Sequence, residues 1–184
     1  MHLLCGIDEA GRGPLAGDLV MAGCILHNTI VGLHDSKKLT AKKREALYTL
    51  IVKNASYHIV KFSAQEIDNN GISACLKKGL LEIMKNLQAD EYLFDGNQSY
   101  GVQNLTTMIK ADGKVPEVSA ASILAKVAHD RDILEQAKKY PQYQFEKHKG
   151  YGTKLHVAMI KKYGYCEIHR RSYKIKALES TLFD

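Results

Sequence analysis

No stretch of this sequence approaches the roughly 20 consecutive apolar residues that cross a bilayer, so a membrane-spanning helix is not expected. The amino terminus, "MHLLCGIDEAG", has neither the basic region nor the long apolar segment of a secretory signal. It reads at once as a buried strand, and the expected location is the cytoplasm. Cysteine is sparse: Cys5, Cys24, Cys75 and Cys166 lie far apart and form no C-x-x-C pair. That spacing argues against a zinc cluster or a disulfide framework and for buried free thiols. With three prolines, no internal repeat, no low-complexity tract and no linker, residues 1–184 are expected to fold as one unit with a full hydrophobic core.

What is present is an uneven charge. The formal net charge is +6, yet residues 138–176 hold eleven Lys/Arg against only Glu146 and Glu167, a balance of +9, and the remainder carries −3. A basic carboxyl-terminal third beside a mildly acidic body points to a polyanionic partner, with a solvated basic face as the alternative.

Apolar patterning predicts strands over 3–8, 19–26, 58–63, 91–96 and 105–110. Helices are predicted over 41–54 with Thr40 as N-cap, and over 72–88, 118–139 and 153–163. Three early strands followed by helix–strand–strand–helix indicate an α/β fold, a mixed sheet covered by helices.

The isolated acids fall in informative places. Asp8 and Glu9 end the first strand, Asp95 ends the fourth in "YLFDGN", and Asp112 follows the fifth in "MIKADGK". The carboxyl ends of strands in an open α/β sheet form the usual ligand crevice. Gathered carboxylates repel one another unless a cation neutralises them. Hard divalent metals take such oxygen ligands, and two ions roughly 3.5–4 Å apart can promote phosphodiester hydrolysis. Asp95-Gly96 and Asp112-Gly113 could each be turn chemistry alone. Neighbouring strand residues also point to opposite faces, so Asp8 and Glu9 are expected to share a metal region only where the strand is ending or bulged. "GRGPLA", 11–16, satisfies the letter of a dinucleotide fingerprint. It fits badly, because Pro14 stands where a helix should open and acids occupy the strand end.

The segments "GIDEAGRGPLAG", "DSKKLT", "LFDGN", "KADGK", "SAASILAKVAHDRD" and "HKGYGTKLH", in this order, strongly resemble bacterial ribonuclease HII, the type 2 ribonuclease H family. The likeness runs from residue 3 to "IHRRSY" at 168–173. It implies a ribonuclease H-like fold, a mixed five-stranded sheet flanked by helices, with a helical carboxyl-terminal region. It implies an endoribonuclease that cuts the RNA strand of RNA–DNA hybrids and cleaves at single ribonucleotides embedded in duplex DNA. The ends left are 3′-hydroxyl and 5′-phosphate, cleavage falls 5′ of the ribonucleotide, and misincorporated ribonucleotides are thereby removed. The implied cofactor is Mg²⁺ or Mn²⁺, with two ions in the substrate complex. The family's catalytic and metal-binding carboxylates map onto Asp8, Glu9, Asp95 and Asp112, with Asp130 a competitor for the fourth place.

Ser119, Ser122, Lys126 and Asp130 recur at helical spacing and form a polar stripe on an otherwise apolar helix. They are read as a supporting shell, although Lys126 and Asp130 could be a plain i,i+4 pair. Gly11, Arg12 and Gly13 match the family's ribonucleotide-sensing loop, where glycine lets backbone approach a sugar closely and Arg12 offers its donor fork to a phosphate. Tyr151 matches the tyrosine that packs against the sugar at the RNA–DNA junction, with loop packing as the alternative. Lys37 in "DSKKL" is expected near a phosphate, or else simply solvated. Asp18 and "NNGISACLKKGL" depart from the family pattern and bear on local packing rather than chemistry. A monomer is expected, with the basic part at 138–176 as the substrate-binding surface. Two other classes stay open at this point: a non-catalytic nucleic-acid-binding module using the basic third alone, and a different enzyme on the same fold, such as an integrase or exonuclease.

Overall fold

The computed structural model describes residues 2–33 and 39–175. Five strands, β1 (Leu4–Ala10), β2 (Leu19–Leu26), β3 (Ala55–Phe62), β4 (Glu91–Asp95) and β5 (Thr106–Met108), form one sheet in the order β3-β2-β1-β4-β5. β1, β2 and β3 pair antiparallel, while β1–β4 and β4–β5 are parallel, so the sheet is mixed. The helices are α1 (Ala41–Asn54), α2 (Ala64–Asn70), α3 (Ile72–Asn86), α4 (Pro116–Lys139), α5 (Phe145–His148) and α6 (Lys154–Tyr163). The expected α/β architecture, with a helical carboxyl-terminal part, is the one observed.

Alternation along the strands sorts the core into two layers. On one face Cys5, Ile7, Leu19, Met21 and Phe94 pack with Leu76, Leu80 and Ile83 of α3, whose apolar residues recur at helical spacing. On the other, Val20, Ala22 and Cys24 meet Leu47 and Ile51 of α1 and Ala120, Ala121, Leu124 and Ala125 of α4. The small residues of α4 let it lie close to the sheet. At Gly6 an added Cβ would fall 2.3 Å from the Glu117 carbonyl carbon and the Val118 nitrogen.

Local chemistry explains the element starts. Thr40 caps α1 by accepting from the Lys43 N–H. Ser63 and Glu66 form a reciprocal capping box on α2, a helix not foreseen above. Pro116 opens α4 two residues before the expected start. β3 begins at Ala55 and not 58, because α1 passes into it without a loop. β5 is confined to Thr106–Met108, since Lys110 takes a left-handed conformation and residues 111–113 turn into a short 3-10 segment. Cys5, Cys24 and Cys75 are buried free thiols, whereas Cys166 is only half-buried. Among the described residues no helix is long and apolar enough to cross a membrane.

Candidate metal centre and nucleic-acid interface

The parallel strands β1, β4 and β5 end on the same side of the sheet, and the acids are found there. β1–β4 pairing stops at Ile7–Phe94, whereas β1 stays paired with β2 as far as Ala10–Val20 and β4 with β5 as far as Asp95–Met108. The sheet therefore opens between β1 and β4, into a cleft of about 470 Å³ lined by Asp8, Glu9, Gly11, Arg12, Gly13 and Asp95, among others.

Asp8 is the register partner of Ala22 and lies on the α4 face of the sheet; Asp95 falls on that face too, one residue beyond Phe94. Asp112 arrives from the 3-10 turn after β5. Asp8, Asp95 and Asp112 each offer a carboxylate oxygen, and the three oxygens lie within 4.8 Å of one another. Glu9 lines the same cleft but stands outside that three-oxygen group. Its neighbour in register is Met21, on the α3 face. The strand neither ends nor bulges at Asp8 and Glu9, contrary to expectation. Both reach the cleft because no strand covers β1 beyond Ile7 on the β4 side.

The electrostatics are those of a site built for a cation. Burial, then the adjacent Glu9, push the Asp8 carboxyl well above its ordinary range, against a hydrogen bond from Ser122. Burial also raises Glu9, opposed by Arg12, whose Nη1 lies 3.7 Å from Glu9 Oε1. Among the described residues, Glu9 Oε2 is buried without a hydrogen-bond partner. An all-oxygen donor set, mutually repelling and partly unsatisfied, fits a hard divalent ion such as Mg²⁺ or Mn²⁺.

The stripe on α4 divides. Ser122 and Lys126 line the cleft. Ser119 is buried deeper and donates to the Asp112 carbonyl, tying the 3-10 turn to the helix. Asp130 is not among the three clustered acids. It accepts from Lys126 Nζ at 2.8 Å and from His129 Nδ1 at 3.2 Å, and although burial opposes them, these bonds hold its carboxyl below the ordinary range.

On the opposite rim, an added methyl at Gly13 would sit 3.9 Å from Tyr151 Cε1, so the tyrosine ring flanks the glycine loop. The Tyr151 carbonyl accepts from His156 Nδ1 at 3.0 Å. Lys37 lies outside the described residues. Two further residues carry no signal in the sequence. Arg44 of α1 lines the cleft, and nothing in "AKKREAL" separates it from its basic neighbours. Arg170 is buried behind the glycine loop, and "IHRRSY" carries no sign of that.

Known proteins resemble this chain in sequence and in fold. A family model described as ribonuclease HII matches residues 5–176. A protein of Sulfurovum sp. (strain NBC37-1) named ribonuclease HII is 65% identical over 181 residues, covering 98% of this chain and 96% of its own. Among solved structures, ribonuclease HII of Archaeoglobus fulgidus, determined in a complex with PCNA, aligns with a TM-score of 0.83 at 28% identity, over 95% of this chain and 96% of that one. Ribonuclease H2 of Pyrococcus horikoshii OT3 aligns with a TM-score of 0.78 at 26% identity, over 94% of each chain. With the matched span running from the first strand past the last helix, this chain belongs to the ribonuclease HII family.

Proposed function

We propose that the protein is an endoribonuclease that hydrolyses the RNA strand of RNA–DNA hybrids and cuts at single ribonucleotides embedded in duplex DNA. It leaves 3′-hydroxyl and 5′-phosphate ends and so removes misincorporated ribonucleotides. The supporting observation is the meeting of Asp8, Asp95 and Asp112 at the split of the sheet, beside a glycine loop and a half-exposed tyrosine. Asp8, Asp95 and Asp112, with Glu9 at the cleft wall, would hold the divalent ions. Once bound, two Mg²⁺ or Mn²⁺ ions supply water activation and charge neutralisation at the scissile phosphate.

The chain's own groups do the rest. Ser122 holds the Asp8 carboxylate by its hydrogen bond, and Ser119 fixes the turn that carries Asp112. Lys126 and Asp130 support α4 at the cleft wall. Gly11 and Gly13 leave the loop backbone bare toward the ribose, and Arg12, with Lys37, serves neighbouring phosphates. Tyr151 packs on the sugar at the junction. The basic residues of 138–176 supply the sequence-independent attraction to the duplex. The protein works as a monomer in the cytoplasm.

The test is a DNA duplex with one internal ribonucleotide beside an all-DNA control, with Mg²⁺, with Mn²⁺ and with chelator. Cleavage confined to the ribonucleotide duplex, dependent on metal and giving ligatable 5′-phosphates, is expected. Cleavage of both duplexes would point to a different nuclease on this fold, and binding without cleavage to a non-catalytic module.

A further inference from the structure

Arg170 is only 1% exposed, and its donors are spent mainly on backbone carbonyls. Nε and Nη2 donate to the Gly17 carbonyl at 3.0 and 2.8 Å, Nη2 also to that of Gly11, and Nη1 to that of Arg12 at 3.1 Å. The Tyr173 hydroxyl donates to the same Arg12 carbonyl at 2.8 Å and accepts from Arg170 Nη1 at 3.2 Å. Around this guanidinium, the Leu15 N–H donates to Gly150 O, the Gly17 N–H to Ile168 O, and the Arg170 N–H to Leu15 O. Residues 15–17 are therefore clamped between the Tyr151 loop and the segment carrying Arg170.

The consequence follows from peptide geometry. The described chain has no cis peptide bond, and in a planar trans peptide the C=O and N–H point in opposite directions. With the Gly11 and Arg12 carbonyls turned toward buried Arg170, the N–H groups of Arg12 and Gly13 are turned away from it. Gly11, Arg12 and Gly13 all line the cleft.

We propose that Arg170 is a positioning residue for ribose discrimination: it holds the two peptide units of Gly11-Arg12-Gly13 with their carbonyls inward, so that two N–H donors stand in the cleft for the 2′-hydroxyl oxygen of a ribonucleotide. This rests on the reading of that loop as the ribose sensor. A planar fork can serve three separated carbonyls, whereas a lysine ammonium, a single point of donors, cannot. Tyr173 contributes one further tie to the same carbonyl.

The test compares Kd for a duplex with one ribonucleotide and for the same duplex in DNA throughout, in chelator so that nothing turns over. The wild type is expected to prefer the ribonucleotide duplex. Arg170→Lys should cut that preference about tenfold and Tyr173→Phe about threefold, the range for lost hydrogen bonds, while the Kd for the DNA duplex stays unchanged. A merely structural role would weaken both duplexes together or lower the unfolding midpoint without moving the ratio. Should Arg170→Lys fail to fold, Tyr173→Phe, which removes one hydroxyl, decides the matter. Wild-type preference retained in full by the folded variants overturns the positioning role alone. A wild type without preference overturns the ribose-sensor reading beneath it.

Discussion

His169 donates its Nε2 proton to His156 Nε2 across 3.1 Å, and only one pair of tautomers permits this. His169 Nδ1 accepts from the Cys166 N–H at 2.9 Å, so its proton resides on Nε2. His156 then accepts at Nε2 and donates from Nδ1 to the Tyr151 carbonyl. The relay is directional, requires both rings neutral, and ends on the residue that flanks the glycine loop.

Acid should therefore unfasten this corner. Burial, reinforced by charged or ring neighbours including His148 and Arg171, pulls both imidazoles down to about 4 from an ordinary 6.5. Between these values the unfolded chain binds protons that the folded chain does not. Stability is full above about pH 6.5 and falls toward about pH 4, by roughly 1.4 kcal/mol per pH unit for each ring. Thermal unfolding followed over that interval measures the slope, and the double variant His156→Asn, His169→Asn should flatten it. An equally steep curve in the variant would show that these rings are not its source.

Removing one acid should trade stability against chemistry. Asp8→Asn relieves a buried, like-charge-crowded carboxylate, so the metal-free protein should gain on the order of 1 kcal/mol, a pKa unit corresponding to about 1.4. The same change should erase the rise in melting temperature on adding Mg²⁺. It should also lower kcat by more than the roughly 10–100-fold that loss of a ligand's hydrogen-bonded neighbour costs. Calorimetry with and without Mg²⁺ separates the two effects, and near-normal turnover would remove Asp8 from the proposed ligand set.

Arg44 offers a cleft-lining cation from α1. If it meets a backbone phosphate, Arg44→Ala should weaken binding to hybrid and to DNA duplex alike and reduce the slope of log K against log salt by about 1. Titrations at several salt concentrations give that slope, and an unchanged value would place Arg44 off the docking path.

The two glycines of the loop should respond differently. At Gly11, φ is +83°, and a Cβ would fall 2.5 Å from His129 Cδ2 and from the Asp18 carbonyl oxygen. Gly11→Ala should cost about 2–4 kcal/mol through overpacking and left-handed strain. At Gly13 the nearest atom to a new Cβ is Tyr151 Cε1 at 3.9 Å, so Gly13→Ala should melt like the wild type yet raise KM by crowding the sugar. Melting curves alongside steady-state kinetics distinguish them, and equal melting losses would refute the contrast.

Much of this was legible where short-range chemistry decides. Thr40 announces α1, and Asp95 after an apolar run marks the end of β4. α2 is hidden in the sequence although Ser63-x-x-Glu66 is a capping signal, because seven residues are too few to show a helical period. That Asp8 and Glu9 line one cleft could not be read from one strand, since it depends on where β4 stops pairing with β1. The role of Arg170 depends on a carbonyl 153 residues away, and in "HRRSY" nothing tells the buried arginine from the exposed Arg171 beside it.

Gly6 gives the acidic cluster and the helix beside it their spacing. Because position 6 carries no side chain, the amino-terminal turn of α4 rests on the backbone of β1 itself, two residues before Asp8 on the same face. The gap between that strand and Ser119 and Ser122 is thus set by main-chain van der Waals radii, the least compressible gauge a protein has. A single methyl there would act as a shim, prising the helix from the strand and drawing Ser122 away from Asp8.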